Sequence, residues 1–288
     1  MDQFPRTTVG GLSVSRMIIG TNWFLGWSHA SDAKDQLIRD SVRDRAKIAE
    51  ILSVYFRAGV DTVMGPFPHP PLIDAVRDAE QKTGVKAVIV STPSFPAGPD
   101  TPAKGFDKDE AGRILDEQKK ADVHICMPHQ STTDALVDRC TRSIRHAGTL
   151  CALIRERGMV PGLSTHMPET IIYADDAGLD VETYISIFNS AGFLMQIEVD
   201  WTAQIIAQAN KPVMAIKPLA AGQIRPFQGL TFAWNAIREQ DMVAVGTMSA
   251  REAQECIDLS RDILAHRSGN TKLQETRSKQ SVKRTLVR

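Results

Sequence analysis

SRMIIGTNWF, Ser15 to Phe24, is the stretch that decides the fold. Its apolar run Met17–Ile19, ending at Gly20, reads as the first of the strand candidates. The four residues after Gly20 matter more. An open, doubly wound dinucleotide-binding sheet carries G-x-G-x-x-G directly after its first strand. Thr21, Asn22, Trp23 and Phe24 supply none of it.

Outward from there, short β-rich runs recur: VDTVMGPF, VKAVIVSTP, ADVHICMPHQ, GMVPGLSTH, FLMQIEVDW, PVMAIKPLAAG and MVAVGTMS. Helical patterns separate them, including RDRAKIAEILSVYFRAG, PLIDAVRDAEQKTG, an unbroken TTDALVDRCTRSIRHAGTLCALIRERG, TIIYADDAG, TAQIIAQAN and SAREAQECIDLSRDILAHR. Several end at a glycine just before a strand (Gly59, Gly84, Gly158), the usual helix stop. Strand and helix alternating eight times predict an α/β fold, the closed (β/α)8 TIM barrel. The open sheet is the rival. A single barrel domain is expected over residues 1–267. Residues 268–288 read as a basic, polar tail, solvated rather than an oligomer arm or an anion-binding arm. SFPAGPDTPAKGFDKDEA, 94–111, reads as a long loop over the barrel mouth.

The chain has 288 residues with 42% hydrophobic content, enough for a large core. Its 34 basic and 34 acidic side chains balance, which gives no reason to expect nucleic acid or an acidic membrane as partner. No apolar run suits a signal peptide or a membrane span, and the four cysteines (Cys126, Cys140, Cys151, Cys256) show no C-x-x-C. A cytoplasmic protein acting on a small molecule is expected, with room for a homo-oligomer.

A barrel keeps its chemistry at the carboxyl ends of its strands. The polar residues there are Asn22, Asp61, His69, His129, Ser164, Thr165, His166, Lys217, Thr247 and Ser249. FLMQIEVDW, 193–201, alternates: Gln196, Glu198 and Asp200 share one side and Met195, Ile197 and Val199 the other. Read as the sixth strand, it would turn an amide and two carboxylates one way. His29, His146 and His266 lie in helices or loops where a surface role is the default, and His124 reads as packing against outer helices. Trp23 and Trp27 offer either a stacking wall for a sugar ring or a cover over the mouth.

The ordered set of segments resembles the aldo/keto reductases, a TIM-barrel family that uses a nicotinamide cofactor. VGGLSVSRMIIGTNWFLG is similar to the family's opening hairpin and first strand, and GVDTVMGPF to its F-D-T-A-x-x-Y-G. PGLSTHMPE looks like G-x-S-N-F, LMQIEVDW like N-Q-x-x-Y/H, and PVMAIKPLAAG like V-x-A-Y-S-P-L-G-x-G. LTFAWNAIREQDMVAVGTMSAREAQECI resembles the cofactor end. The resemblance implies a proton-donating Tyr aided by Asp, Lys and His. Asp61 matches the Asp; Pro66 or Phe67, Pro93 and Met127 stand at the other three positions. Thr165 and Ile216 replace two nicotinamide contacts. Gln196 matches the cofactor-facing Gln, making the inward side that of Glu198 and Asp200 as well. Gly246, Thr247, Ser249 and Arg251 are the remaining cofactor-binding candidates, a helix N-terminus being suited to phosphate.

With the proton donors absent, the substitutes expected from strand parity are His129, His166 and Glu198. Together they form a candidate divalent-metal set (Zn, Mn, Fe or Co) or, alternatively, bare acid–base groups. Asp200, Lys217, Asp61 and His69 are the candidates for proton transfer beside them; Asp61 can instead pair with Lys217. The first expectation is a non-redox enzyme, a lyase, isomerase, epimerase or hydrolase of a small carbonyl or sugar-derived compound. The alternatives are a divergent NAD(P)H oxidoreductase and a non-catalytic binding barrel.

Overall fold

The computed structural model describes residues 3–42, 44–98, 100–267 and 276–286. The chain opens on an antiparallel hairpin, β1 (Arg6–Val9) and β2 (Leu12–Ser15). Parallel strands come next: β3 (Met17–Gly20), β4 (Thr62–Gly65), β5 (Val88–Ser91) and β6 (Ile125–Cys126). A small antiparallel pair, β7 (Val137–Asp138) and β8 (Ser143–Ile144), lies apart from them. The parallel set resumes with β9 (Val160–Pro161), β10 (Leu163–Ser164), β11 (Tyr184–Ile187), β12 (Val213–Ile216) and β13 (Met242–Val245).

The helices are α1 (Asp32–Ser41), α2 (Arg45–Arg57), α3 (Leu72–Thr83), α4 (Thr101–Lys104), α5 (Lys108–Lys120) and α6 (Gln130–Ala135). Then come α7 (Ala147–Glu156), α8 (Glu169–Asp176), α9 (Val199–Gln208), α10 (Pro226–Ala236), α11 (Ala250–Leu264) and α12 (Arg277–Leu286).

The parallel strands pair in the order β10, β11, β12, β13, β3, β4, β5, β6, β9. The two ends of that order, β9 and β10, are halves of one strand broken at Gly162, so the sheet closes into the expected (β/α)8 barrel. Gly162 is required there. A Cβ would stand 2.7 Å from Met127 Sδ and 2.7 Å from the Thr183 carbonyl.

Side-chain parity divides the core in two. Ile18, Val90, Ile125, Met127, Val160, Ile185, Met214, Met242 and Ala244 point inward and fill the barrel. Val9 and Val14 of the hairpin join that cluster, so the hairpin plugs the floor. Met17, Ile19, Val63, Ile89, Cys126, Tyr184, Val213 and Val243 point outward and pack beneath the helices. Floor polar groups are also tied. Ser15 N donates to Thr62 Oγ1 at 3.0 Å, and Asp241, fully buried, accepts from Val213 N at 2.8 Å and from Arg238 Nη2 at 2.7 Å.

Three sequence expectations need correction. FLMQIEVDW is not a strand: 193–198 is an irregular connection, and α9 begins at Val199. The sixth barrel strand is β11, whose YISI is buried throughout. A strand covered on both faces has no alternation to show, whereas the connection alternates because one side rests on the core. Met195, Ile197 and Val199 pack on it, and Gln196, Glu198 and Asp200 are exposed. The long helix expected over 132–158 is two helices, α6 and α7, with β7–β8 between them. The loop over 94–111 contains α4 and the start of α5. Of the expected tail, 268–275 and 287–288 lie outside the described residues, and Arg277–Leu286 is helical.

Candidate active site

A cavity of about 660 Å³ occupies the carboxyl ends of the strands. Inward side chains of the top barrel layer, Met64, Ile185, Ile216 and Ala244, form its floor. Its walls come from loops after the strands: Asn22, Trp23, Trp27 and His29 after β3, His129 after β6, Ser164 and His166 at β10, and Lys217 after β12. From this mouth the cavity continues over the ends of β12 and β13 to Arg225, Gly246, Thr247, Glu252 and Glu255.

Lys217 is the residue this geometry singles out. It comes directly after the last residue of β12 and takes a left-handed backbone, φ 60°. Ala220 and Ala221 do the same at φ 47° and 55°. Such conformations cost non-glycine residues about 1–2 kcal/mol each. Among the described residues no hydrogen-bond or ion-pair partner meets the Lys217 ammonium. Burial pushes its pKa down to about 8.

Three imidazoles share the mouth with it. His166 is pushed down to about 4 by burial, then by the positive charge of Lys217 and by His129 and His29. His129 is lowered by burial and by Lys217. His29 is lowered by burial and by Lys217, against an opposing effect of Asp35. Each is therefore a neutral ring at neutral pH. The tautomer of His129 is set by its neighbours. Ser131 N donates to His129 Nδ1 at 3.3 Å, so the ring proton sits on Nε2. His29 Nε2 is 2.9 Å from Asn22 Nδ2. The turn carrying His166 is fixed from below: its backbone N–H donates to Asp134 Oδ2 at 3.1 Å, and Thr165 Oγ1 donates to Asp134 Oδ1 at 2.5 Å.

The structure thus brings together His129, His166 and Lys217, along with Gly246 and Thr247 at the far end of the cavity. It separates the others. Glu198 precedes α9 and is exposed, as are Gln196 and Asp200, so none of the three lines the cavity. Arg251 is exposed too, and Ser249 caps α11 by accepting from Glu252 N at 3.1 Å. The His129, His166 and Glu198 metal set is not assembled, and the described residues contain no group of three or more His, Cys, Asp or Glu that could hold a metal ion. His69 is outside the cavity lining. Its Nδ1 is buried without a partner and its ring meets Trp27 edge-on at 6.2 Å.

Asp61 does not pair with Lys217. It lies just before β4, at the floor, and accepts from Arg6 Nη1 at 2.9 Å. His124 Nδ1 accepts from Ile89 N at 3.2 Å, a wall role. Sequence reasoning missed His29, Asp134 and Arg225. The signal available for His29 was its place in a loop after a barrel strand, which outweighs a surface default.

Comparison with solved structures gives the fold its name. A presumed aldo-keto reductase from Pseudomonas aeruginosa is similar with TM-score 0.64 and 16% identity, covering 90% of this chain and 95% of that one. An aldo/keto reductase from Brucella melitensis matches with TM-score 0.58 and 11% identity over 99% and 98% of the two chains. One from the silkworm, Bombyx mori, matches with TM-score 0.57 and 12% identity over 95% and 91%. The fold is that of the aldo-keto reductases. At these identities the likeness is one of architecture. No family model matches the chain, and no curated protein sequence does. Within this aldo-keto reductase fold, the carboxylate of the D-T segment stands at the floor and an amine stands at the mouth.

Proposed function

We propose that this chain is an oxidoreductase that reduces the carbonyl of a small anionic compound with a nicotinamide dinucleotide, Lys217 and His129 serving the reacting oxygen. The carrying observation is the half-buried Lys217 amine, unpaired among the described residues, in a cavity that runs on toward the start of α11. This reading takes the place of the non-redox, metal-dependent one, because the proposed metal ligands are apart and the structural relatives are named as reductases.

The residues present fit such a cofactor. Arg225 and Lys34 line the cavity where a pyrophosphate needs cations, and Trp23 offers a flat face there. Gly222 and Gly246 flank the Trp23 ring, where an added Cβ would lie in ordinary contact with it at 3.6 and 3.5 Å. Glu252 and Glu255 at the far end can accept from ribose hydroxyls but would repel a 2′-phosphate, which favours NAD(H) over NADP(H). When bound, the nicotinamide supplies the hydride.

The chain's residues then act on charge. A carbonyl oxygen that gains electrons needs a proton or a positive neighbour, and the mouth has both. His129 Nε2–H can donate a hydrogen bond, and Lys217 near neutral pH exists in both protonation states, as a proton donor should. Lys217, with Lys34 and Arg225 in the same cavity, favours a substrate carrying its own negative charge.

Fluorescence titration of the purified protein with NADH and NADPH, and then turnover of a panel of 2-oxo acids and uncharged aldehydes, tests the reading. Tighter binding of NADH and turnover of the acids are expected. Absence of binding to either nucleotide would overturn it.

A further inference from the structure

We propose that Lys217 is also a carbonyl-capturing amine, forming a covalent imine with 2-oxo acids in the barrel mouth. This goes beyond hydride transfer and needs no nicotinamide.

Three features of the site carry it. Lys217 is held at the end of β12 by a backbone that spends left-handed conformations at Lys217, Ala220 and Ala221, so the chain bends at a cost to set this segment over the cavity. Second, among the described residues no carboxylate binds the amine: Asp61, the obvious partner in sequence, is on Arg6 at the opposite end of the barrel. A lysine paired with a carboxylate stays an ammonium and is no nucleophile. An unpaired one in a desolvated cavity carries a usable fraction of free amine at neutral pH, and its pKa here, about 8, agrees. Third, neutral imidazoles stand in the same mouth, with the His129 ring proton directed away from its Ser131 contact.

The chemistry balances without another reactant. The Nζ lone pair attacks the carbonyl carbon, and the carbonyl π pair moves to oxygen, where the His129 Nε2–H can donate a hydrogen bond. The proton that the now-cationic nitrogen sheds passes to that oxygen, leaving a neutral carbinolamine. A second proton transfer to the hydroxyl releases water as the nitrogen lone pair forms C=N. The two protons of the amine and the carbonyl oxygen leave together as water. The carboxylate of the acid keeps its charge and is met by the imidazole N–H donors and by Lys34 and Arg225 of the same cavity, which selects 2-oxo acids over simple ketones.

The experiment is reductive trapping of the full chain. Protein is incubated with pyruvate and sodium cyanoborohydride, and the mass increase, one pyruvic acid less one oxygen, is located by peptide mass spectrometry. The exposed Lys119 serves as the internal reference. Expected is saturable labelling at Lys217, at least tenfold faster than at Lys119, and slower labelling with acetone. The Lys217→Arg variant, with an unchanged circular dichroism spectrum, should lose the fast label. Labelling of Lys217 no faster than Lys119 overturns the proposal, as does a fast label that persists in Lys217→Arg. Equal labelling by acetone overturns the preference for acids. Nucleotide binding reads separately, so failure here leaves the reductase reading to its own titration.

Discussion

The Asp61 carboxylate is held by the Arg6 guanidinium at 2.9 Å on the floor of the barrel, and among the described residues Lys217 at the mouth is left without a carboxylate. The pairing that the sequence invites would have produced a fixed ion pair. Its absence makes Lys217 a group that can change protonation state near neutral pH.

Replacing Lys217 with Met should lower turnover of a carbonyl substrate by ~10²–10⁴, the usual worth of positioned acid–base help. The fold should not suffer, because the change removes a desolvated amine that no partner compensates. Steady-state kinetics beside thermal melts check this. A variant that loses activity only because its Tm collapses would contradict it.

Stability should fall on acidification because of His166. Its folded pKa is about 4, against an ordinary value near 6.5. Between those values the unfolded chain binds more protons than the folded one, so stability rises with pH through that window and is lost as pH falls toward 4. Partial exposure to solvent tempers the size, to roughly 2–4 °C in Tm. Melts of the wild type and His166→Gln from pH 4 to 7 should diverge at the acid end, with the variant less sensitive.

Asp241→Ala should be among the most damaging changes in the molecule. It would take the carboxylate from the Arg238 guanidinium, leaving that group the Ala209 and Lys211 carbonyls, and would leave the Val213 N–H without its acceptor. Loss of one partner from a buried pair typically costs about 3–5 kcal/mol. Urea unfolding checks it; a loss below about 1 kcal/mol would contradict the assignment.

Gln196→Ala, Glu198→Ala and Asp200→Ala should each leave stability within about 0.5 kcal/mol and leave turnover unchanged, since all three side chains are exposed outside the cavity. A large loss of activity in any of them would restore the inward reading of that segment.

That segment shows why the sequence told only part of the site. The barrel was legible because seven of its strands are apolar runs bounded by glycine, proline or polar residues, with helices between. The eighth, Tyr184–Ile187, is buried on both faces and offers no alternation, while the connection after it alternates without being a strand. Shifting the sixth strand by about nine residues carried Gln196, Glu198 and Asp200 into a barrel they do not enter. On the fourth strand parity worked: Met127 is inside and His129 lines the cavity. Lys217 could be named as a candidate from its place after a strand. Its lack of a partner could not, because the position of Asp61 along β4 depends on how the hairpin plugs the floor, a long-range contact that no local pattern encodes.

The most direct test of the account is the titration of Lys217 itself, tracked by the ¹³Cε shift in lysine-labelled protein and assigned with Lys217→Arg. A midpoint near 8 is the expected result. A midpoint at the ordinary lysine value of about 10.4 would contradict the account.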